Sequence, residues 1–419
     1  MSRHPTPGGG ASSELRVDRA ADPRQVPLFT RDPTRAHGDW RSGNVLVHGE
    51  NLEAMQRLVR GGYAGKFRCV YFDPPFNSGR RFDEYHDAAA PGVWRAMIRE
   101  RLEVARALLA DDGVIFVEID DTELGPLHAT MDDAFGREER VATITVVRSA
   151  STGHKAINRG PVNVADYLLV YAKDRRRWRG RPILRERRGY DRAYATWLEN
   201  PGGAIETWRF SPLAAHARGV LGRAASRESV ERYALEHASH VVRFAQPRYD
   251  AVSRAARALI DRSRREPERV LRLARAGRKD LLLRSGNRIL FLADKVAERD
   301  GRPVLVEPLT NVWDDIGFQG IAREGSARFI RNKKPEKLLA RILAMSTDVG
   351  DWVLDAFLGS GTTAAVALKM GRRWVGIERG EHVDAMCIPR LRRVVDGQDP
   401  TGVTRALGWK GGGGFDVWV

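Results

Sequence analysis

Two short strings carry residue types able to grip a planar ring and a nucleoside. The first is Asp73-Pro74-Pro75-Phe76-Asn77, directly after the aromatic and β-branched run Phe67 to Phe72. Two prolines stiffen the chain as it leaves a strand, so the Pro74 carbonyl has no ladder partner and can face a ligand. The Asp73 carboxylate accepts hydrogen bonds, and Phe76 offers a flat apolar face. Together they form a clamp for a planar ring with an exocyclic amine; the plainer alternative is a proline turn with a capping aspartate. The second string is Asp355-Ala356-Phe357-Leu358-Gly359-Ser360-Gly361-Thr362-Thr363. Gly359 and Gly361 permit a tight turn and a close approach of backbone to a ligand at the head of a parallel sheet. Glu378 closes the next apolar run, about 20 residues on, where an acidic side chain grips ribose hydroxyls. No Lys follows the second glycine, which disfavours a phosphate-gripping loop. An ordinary βα connection is the alternative here; the order strand, turn, helix, strand, Glu favours a nucleoside cofactor.

These strings need elements to hold them. Val45 to Val47, Val114 to Ile119 and Tyr167 to Tyr171 read as strands, Leu52 to Val59 and Trp94 to Leu109 as helices. After Pro308 the same alternation resumes. Pro335 opens a helix to Met345 with Glu336 beside it; a strand at Trp352 to Leu354, a helix at Thr363 to Met370 and a strand at Trp374 to Ile377 follow. Such alternation predicts an α/β fold whose parallel sheet is covered by helices on both faces. The stretch between reads differently. Ser229 to His237, Tyr249 to Ser263 and Pro267 to Ala276 look helical, and Leu281 to Leu283 and Arg288 to Leu292 look like strands around Ser285-Gly286-Asn287. Helices followed by a basic hairpin suggest a small winged-helix-like reader.

Composition sets the limits. With 419 residues, 42% hydrophobic, disorder throughout is excluded. Two cysteines, Cys69 and Cys387, exclude a disulfide scaffold and suit a reducing cytoplasm. No apolar run reaches the roughly 18 residues of a membrane span. The net charge of +16 is concentrated: residues 174 to 300 hold 30 Lys plus Arg against 16 Asp plus Glu, a net of +14, and the remainder holds 40 against 38. This is either a solvated Arg-rich insertion or an electrostatic footprint for nucleic-acid phosphates. The organisation expected is a disordered tail at 1–38, a catalytic half at 39–173, a basic insertion at 174–304, a cofactor half at 305–398 and a C-terminal tail at 399–419.

The two motifs resemble those of the amino-methyltransferases that act on DNA bases with S-adenosylmethionine. Their order, clamp first, basic segment second and cofactor turn last, resembles the β class, and in particular the modification subunits of type III restriction systems. The likeness covers about half the chain, with further echoes at His48-Gly49-Glu50-Asn51-Leu52, Ile119-Asp120-Asp121-Thr122-Glu123, Phe135-Gly136 and Asn332-Lys333-Lys334-Pro335-Glu336. It implies a Rossmann-like fold with a largely parallel seven-stranded sheet, a circularly permuted motif order and an interrupting basic, mainly helical insertion. It implies catalytic roles for Asp73, Pro74, Pro75 and Phe76, the last standing where the family more often has Tyr. Around the S-adenosylmethionine it implies Asp355, Phe357, Gly359, Ser360, Gly361, Thr362 and Glu378, with Lys334 and Pro335 at the methionine end, and Glu50.

The expected reaction is methylation of an adenine N6 amine in duplex DNA, with the base flipped into the pocket. Asp73 and the Pro74 carbonyl would accept the amine hydrogens for an in-line displacement. The alternatives are cytosine N4 methylation, which Asp rather than Ser at 73 disfavours by resemblance, RNA or protein-glutamine methylation, and non-enzymatic DNA binding. No metal is expected: His48, His86, His128 and His154 lack ligand spacing, and Asp120, Asp121 and Glu123 read as local hydrogen-bonding groups. Double-stranded DNA is the partner expected, with a homodimer and a restriction nuclease or other defence subunit left open, no membrane, and a cytoplasmic, nucleoid-associated location.

Overall fold

The computed structural model of the chain describes residues 29–81, 86–87, 89–149, 161–299, 301–318, 320–326 and 333–419. Residues 1–28 of the expected tail, His154 and Asn332 lie outside them. The described residues form two units, one made of those up to Ile183 with Thr310–Val419, the other of Leu184–Leu309.

In the first unit the chain runs β1 (His37–Gly38), β2 (Val45–His48), α1 (Asn51–Leu58), β3 (Phe67–Phe72), α2 (Pro91–Leu108), β4 (Leu109–Ile119), α3 (Leu124–Phe135), β5 (Arg140–Val147) and β6 (Ala165–Ala172). After the second unit come β7 (Val312–Trp313), α4 (Glu336–Ser346), β8 (Trp352–Asp355), α5 (Thr362–Lys369), β9 (Arg373–Glu378), α6 (Ile388–Val395) and β10 (Gly414–Trp418). The strands make one sheet in the order β1-β10-β2-β9-β8-β3-β4-β6-β5-β7. Every neighbouring pair from β10 to β4 is parallel, and β6 runs antiparallel to β4 and β5. The fold is thus α/β with a mixed sheet of ten strands, not seven.

The amphipathic period of α2 explains its seat. Trp94, Ile98, Leu102 and Ala105 recur at helical spacing and are buried in one cluster with Phe67, Val70 and Phe72 of β3 and Ile115 and Val117 of β4. Burying each large side chain of that stripe is worth about 1.5–3 kcal/mol.

Residues 399–419 are not a tail. Phe415 and Val417 are fully buried, and β10 pairs in parallel with β2, Asp416 opposite Val45. Two apolar side chains at alternate positions fit a strand that covers the sheet, which is why the apolar end packs. Asp416 also holds Arg31 at 2.7 Å, and Thr30 and Val419 exchange backbone hydrogen bonds, so residues 30–31 of the expected N-terminal tail pack here too.

The second unit is richer in sheet than expected. A six-stranded antiparallel sheet runs in the order Arg209–Pro212, Thr196–Glu199, Val241–Ala245, Asn287–Phe291, Leu281–Arg284, Leu271–Leu273. Three further strands, Val296–Arg299, Arg302–Pro308 and Leu184–Glu186, form a separate sheet. Helices Leu213–Leu221, Arg227–Glu236 and Arg254–Arg265 accompany them. The hairpin around Ser285 and Gly286 is present, both with positive φ. Pro267 to Ala276 is no helix: Leu271 and Leu273 pair with Leu283 and Leu281, and strand pairing to a buried partner overrides the helical leaning of Ala and Arg. The strand Arg302–Pro308 belongs to this unit, so the α/β unit resumes at Thr310 rather than 305.

Candidate active site

Parallel register gathers the ends of four strands. Asp355 lies opposite Tyr71 and His48 opposite Glu378, which puts the residues that leave β2, β3, β8 and β9 side by side. β3 and β8 are neighbours whose onward connections diverge, β3 to β4 on one side and β8 to β9 on the other. That is the place where open α/β sheets hold ligands. A cavity of about 240 Å³ opens there. It is lined by Asp73, Pro75, Phe357, Gly359, Glu378 and Glu50 among the residues expected, together with Gly49, Asn51, Met97, Arg101, Ala356, Arg379, Gly380 and His382.

The clamp is locked from behind. Trp94 of α2 donates its indole N–H to the Pro75 carbonyl at 2.7 Å. Asn77, with φ of 58°, donates to Glu123 at 2.7 Å and accepts from the Ala89 amide at 2.7 Å. Asn is among the few residues that tolerate such a φ. No donor among the described residues reaches the Pro74 carbonyl; Pro74 itself is buried and does not line the cavity.

The glycine turn is built as its residues require. Gly359 and Gly361 both have positive φ, and a Cβ on Gly361 would meet the Cys387 sulfur at 2.8 Å. Glu378 accepts from the amides of Gly359 (2.8 Å), Arg379 (2.9 Å) and Gly380 (3.0 Å). Burial pushes its pKa up, but His382 and these amides more than offset it, and the carboxyl titrates below its ordinary value. A fixed carboxylate beside Phe357 and Gly359, both lining the cavity, suits a nucleoside with its ribose diol. Glu50 accepts from the Glu53 amide at 3.0 Å, capping α1, and meets Arg101 at 2.5 Å. Arg101 also donates to Asn51, which in turn donates to the Ala356 carbonyl, tying α2 and α1 to the turn.

Several expected residues do not line this cavity. Asp355 accepts from Thr363 at 2.5 Å and from the Phe357 amide at 2.9 Å, shaping the turn from beneath. Burial pushes its pKa up to about 7, against those two bonds. Ser360 and Thr362 are buried and bonded to Arg390. Pro335 precedes α4 as its cap, not as its first residue. Phe76 packs on the core, with the Lys334 ammonium 4.8 Å from its ring centre. Lys334 stands 3.1 Å from Asp73 Oδ1 and 2.9 Å from Glu118 Oε1, so its head group serves carboxylates behind the clamp.

Glu118 is the main residue the sequence reading missed. It is fully buried in β4 and accepts from the Tyr71 hydroxyl at 2.5 Å. The signal was present: an acid inside an otherwise apolar run is expensive unless paired. Asp166 of β6 joins the same electrostatic group and meets Arg148 at 3.0 Å. Burial pushes Asp73 up to about 8, eased by Lys334 and worsened by Glu118; Asp166 rises to about 7 for the same first reason. For Lys334 burial disfavours the charge, but Asp73, Glu118 and Asp166 outweigh it and hold the ammonium above its ordinary range. Asp120 accepts from the nearby Thr122 amide, whereas Asp121 accepts from Asn163 and Glu123 from Asn77, both distant in the chain, so only the first of these bonds is local. Among the described residues no group of three or more His, Cys, Asp or Glu is placed to hold a metal ion, and no helix is long and apolar enough to cross a membrane.

Sheet, turn and cavity define an α/β protein with a nucleoside-sized cavity at its switch point. The chain belongs to the DNA methylase family, whose model matches residues 67–386. Among curated relatives, it is 27% identical over 444 residues to the "Probable type III restriction-modification enzyme HindVI Mod subunit" of Haemophilus influenzae, covering 95% of this chain and 58% of that protein. It is 26% identical to the type III StyLTI Mod subunit of Salmonella typhimurium, covering 78% and 50%. It is 25% identical to the type II methyltransferase M.EcaI of Enterobacter cloacae, covering 80% and 66%. The chain spans about half the length of the type III relatives named here.

Proposed function

We propose that the chain is a site-specific DNA methyltransferase that moves the methyl group of S-adenosylmethionine to the N6 amine of an adenine flipped out of duplex DNA. The observation that carries this is the meeting of Asp73, Phe357, Gly359 and Glu378 around one cavity in a chain of the DNA methylase family. S-adenosylmethionine is the methyl-donating substrate: a C–N bond forms as the C–S bond breaks, the sulfonium becomes a thioether, and the proton the amine loses passes to the Asp73 carboxylate and from there to solvent. Glu378 would bind the ribose diol, Phe357 the adenine of the donor, and the turn at Gly359 and Gly361 its backbone-facing edge. Asp73 and the Pro74 carbonyl would accept the target amine's hydrogens, favouring a more tetrahedral nitrogen. Pro75, which lines the cavity, would flank the ring, and that contact offsets part of the few kcal/mol that flipping costs.

The order of motifs along the chain, clamp before cofactor turn, is read as a circular permutation of the methyltransferase arrangement. Residues 184–309, which hold most of the excess positive charge, are read as the target-recognition unit. Mod-subunit relatives suggest a restriction nuclease partner. Cytosine N4 is the second reading; Asp at 73 favours adenine. Single-molecule sequencing of DNA from cells expressing the chain tests the proposal. N6-methyladenine at a recurring sequence is expected, and its absence from every context, with the protein folded and present, contradicts it. Binding to unmodified duplex should weaken steeply with salt, in proportion to the phosphates contacted.

A further inference from the structure

Behind the clamp lies a group of charged side chains with no part in the methyl transfer described above. Asp73 leaves β3, Glu118 lies in the adjacent β4, Asp166 in the next strand β6, and Lys334 enters from the segment before α4. One ammonium is therefore divided between two carboxylates, 3.1 Å from Asp73 and 2.9 Å from Glu118. Glu118 is fixed on its far side by the Tyr71 hydroxyl at 2.5 Å. Asp73 is held by one oxygen, and its other oxygen accepts no hydrogen bond from the described residues, on a side chain that lines the cavity.

Lys334 is itself held. Its side chain is 11% exposed, and its ammonium sits against the Phe76 ring. Lys333 donates to the Glu324 carbonyl, and Glu336 is fixed by buried bonds from Lys369 and Arg390. These bonds hold the chain on either side of Lys334, and its own head group is held by Asp73, Glu118 and the Phe76 ring. The other charges acting on this group are Arg148, which meets Asp166 at 3.0 Å, and the carboxylates of Asp120 and Asp355.

We propose that Lys334 is a positioning residue of the amine pocket: its ammonium pins one Asp73 oxygen, leaves the other for the target amine, and is shared with Glu118 as a competing partner. This rests on the methylation reading above. Acceptance of an amine hydrogen by Asp73 requires the carboxylate, and a neighbouring cation favours that form while a neighbouring carboxylate opposes it. The two neighbours therefore act in opposite directions. Removing the cation makes Asp73 harder to ionise. Removing Glu118's charge releases Lys334 to Asp73 and makes it easier.

The test is the pH dependence of single-turnover methyl transfer by the full chain, with the Asp73 carboxyl followed in parallel by carbon NMR of aspartate-labelled protein, its signal assigned by loss in Asp73→Asn. Lys334→Met is expected to move the acidic limb and the Asp73 midpoint up by about one pH unit or more, the scale of a single close charge. Lys334→Arg, which keeps the charge, should hold both near the wild-type position. Glu118→Gln should move both down. Opposite movements are a result that a loss of packing does not produce, because misfolding lowers activity without displacing the two limbs in opposite senses. The proposal is overturned if Lys334→Met leaves the Asp73 midpoint in place, or if Glu118→Gln moves it the same way as Lys334→Met. If the wild type transfers no methyl group, the methylation reading falls, and the NMR titration still decides whether Lys334 controls Asp73.

Discussion

Two buried charge clusters flank the start of α4, and they are built on opposite plans. On one side Glu336, Lys369, Arg390 and Asp399 are all essentially inaccessible, with two acids against two bases. Lys369 reaches Glu336 at 2.7 Å and Asp399 at 2.6 Å, and Arg390 reaches Glu336 at 2.9 Å. Arg390 also donates to the Ser360 carbonyl and to Thr362, and Glu336 accepts from the Val403 amide. On the other side Asp73, Glu118 and Asp166 share Lys334, with Arg148 at the margin. The balanced cluster rivets α4, α5, α6 and the glycine turn, and none of its four side chains lines the cavity. The unbalanced one borders the cavity, and burial raises the pKa of the residue assigned to the chemistry, eased by Lys334 and reinforced by Glu118 and Asp355. Charge balance, more than burial, separates the structural cluster from the functional one, since perturbed titration gathers where the protein needs it.

The contrast can be broken at either end. Asp73→Ala should lower methyl transfer by about two to four orders of magnitude, as expected for a group acting on the reacting amine, and should leave the unfolding midpoint little changed. Rapid-quench assays with denaturant titrations check both halves. Glu336→Gln should do the reverse. It leaves two bases facing a single acid, so unfolding free energy should fall by about 3–5 kcal/mol, read by chemical denaturation. Equal damage to stability from both variants would erase the distinction.

A smaller effect sharpens the picture of the clamp. Trp94→Phe keeps the ring packing and removes the donor to the Pro75 carbonyl, which should cost about 1–3 kcal/mol if that acceptor stays dry. The loss should show in unfolding and in the methyl-transfer rate together, because the same bond sets the loop. The smallest effect belongs to Asp355. Its raised carboxyl pKa means the folded state holds a proton that the unfolded state gives up. The resulting stabilisation is complete below the unfolded value near 4 and is lost as pH rises through about 7. Asp355→Asn, which mimics the protonated form, should therefore cost less stability at pH 8 than at pH 5, measured by thermal unfolding at both.

What the sequence disclosed follows from the reach of its signals. Asp73 to Asn77 and Asp355 to Thr363 are contiguous strings at strand ends, and Glu378 stands at a spacing that one βαβ step dictates. Of these, Asp73, Pro75, Phe357, Gly359 and Glu378 line the cavity, and they were legible for that reason. The placement of Lys334 was not, because its partners Asp73 and Glu118 come from distant parts of the chain and only sheet order brings them together. The family resemblance implied the donor's methionine end for it, and the side chain meets Asp73 and Glu118. Met97 and Arg101 escaped notice because an amphipathic helix announces its buried stripe, not the few positions that border a cavity. The second unit misled through composition: Ala and Arg favour helix, and the leucines that pair Leu271–Leu273 with Leu281–Arg284 speak only through contacts across the fold. The strand at Gly414–Trp418 was hidden behind a glycine run that resembles a linker.

The central claim is that Asp73 presents a target amine to a donated methyl group. It is tested most directly by incubating the purified chain with methyl-labelled S-adenosylmethionine and unmodified duplex DNA, then digesting the DNA to nucleosides. Label is expected in N6-methyldeoxyadenosine with the wild type, with its near-complete loss in Asp73→Asn while donor binding is retained. Label transferred equally by Asp73→Asn, or found on a carbon of the base rather than an amine, would contradict it.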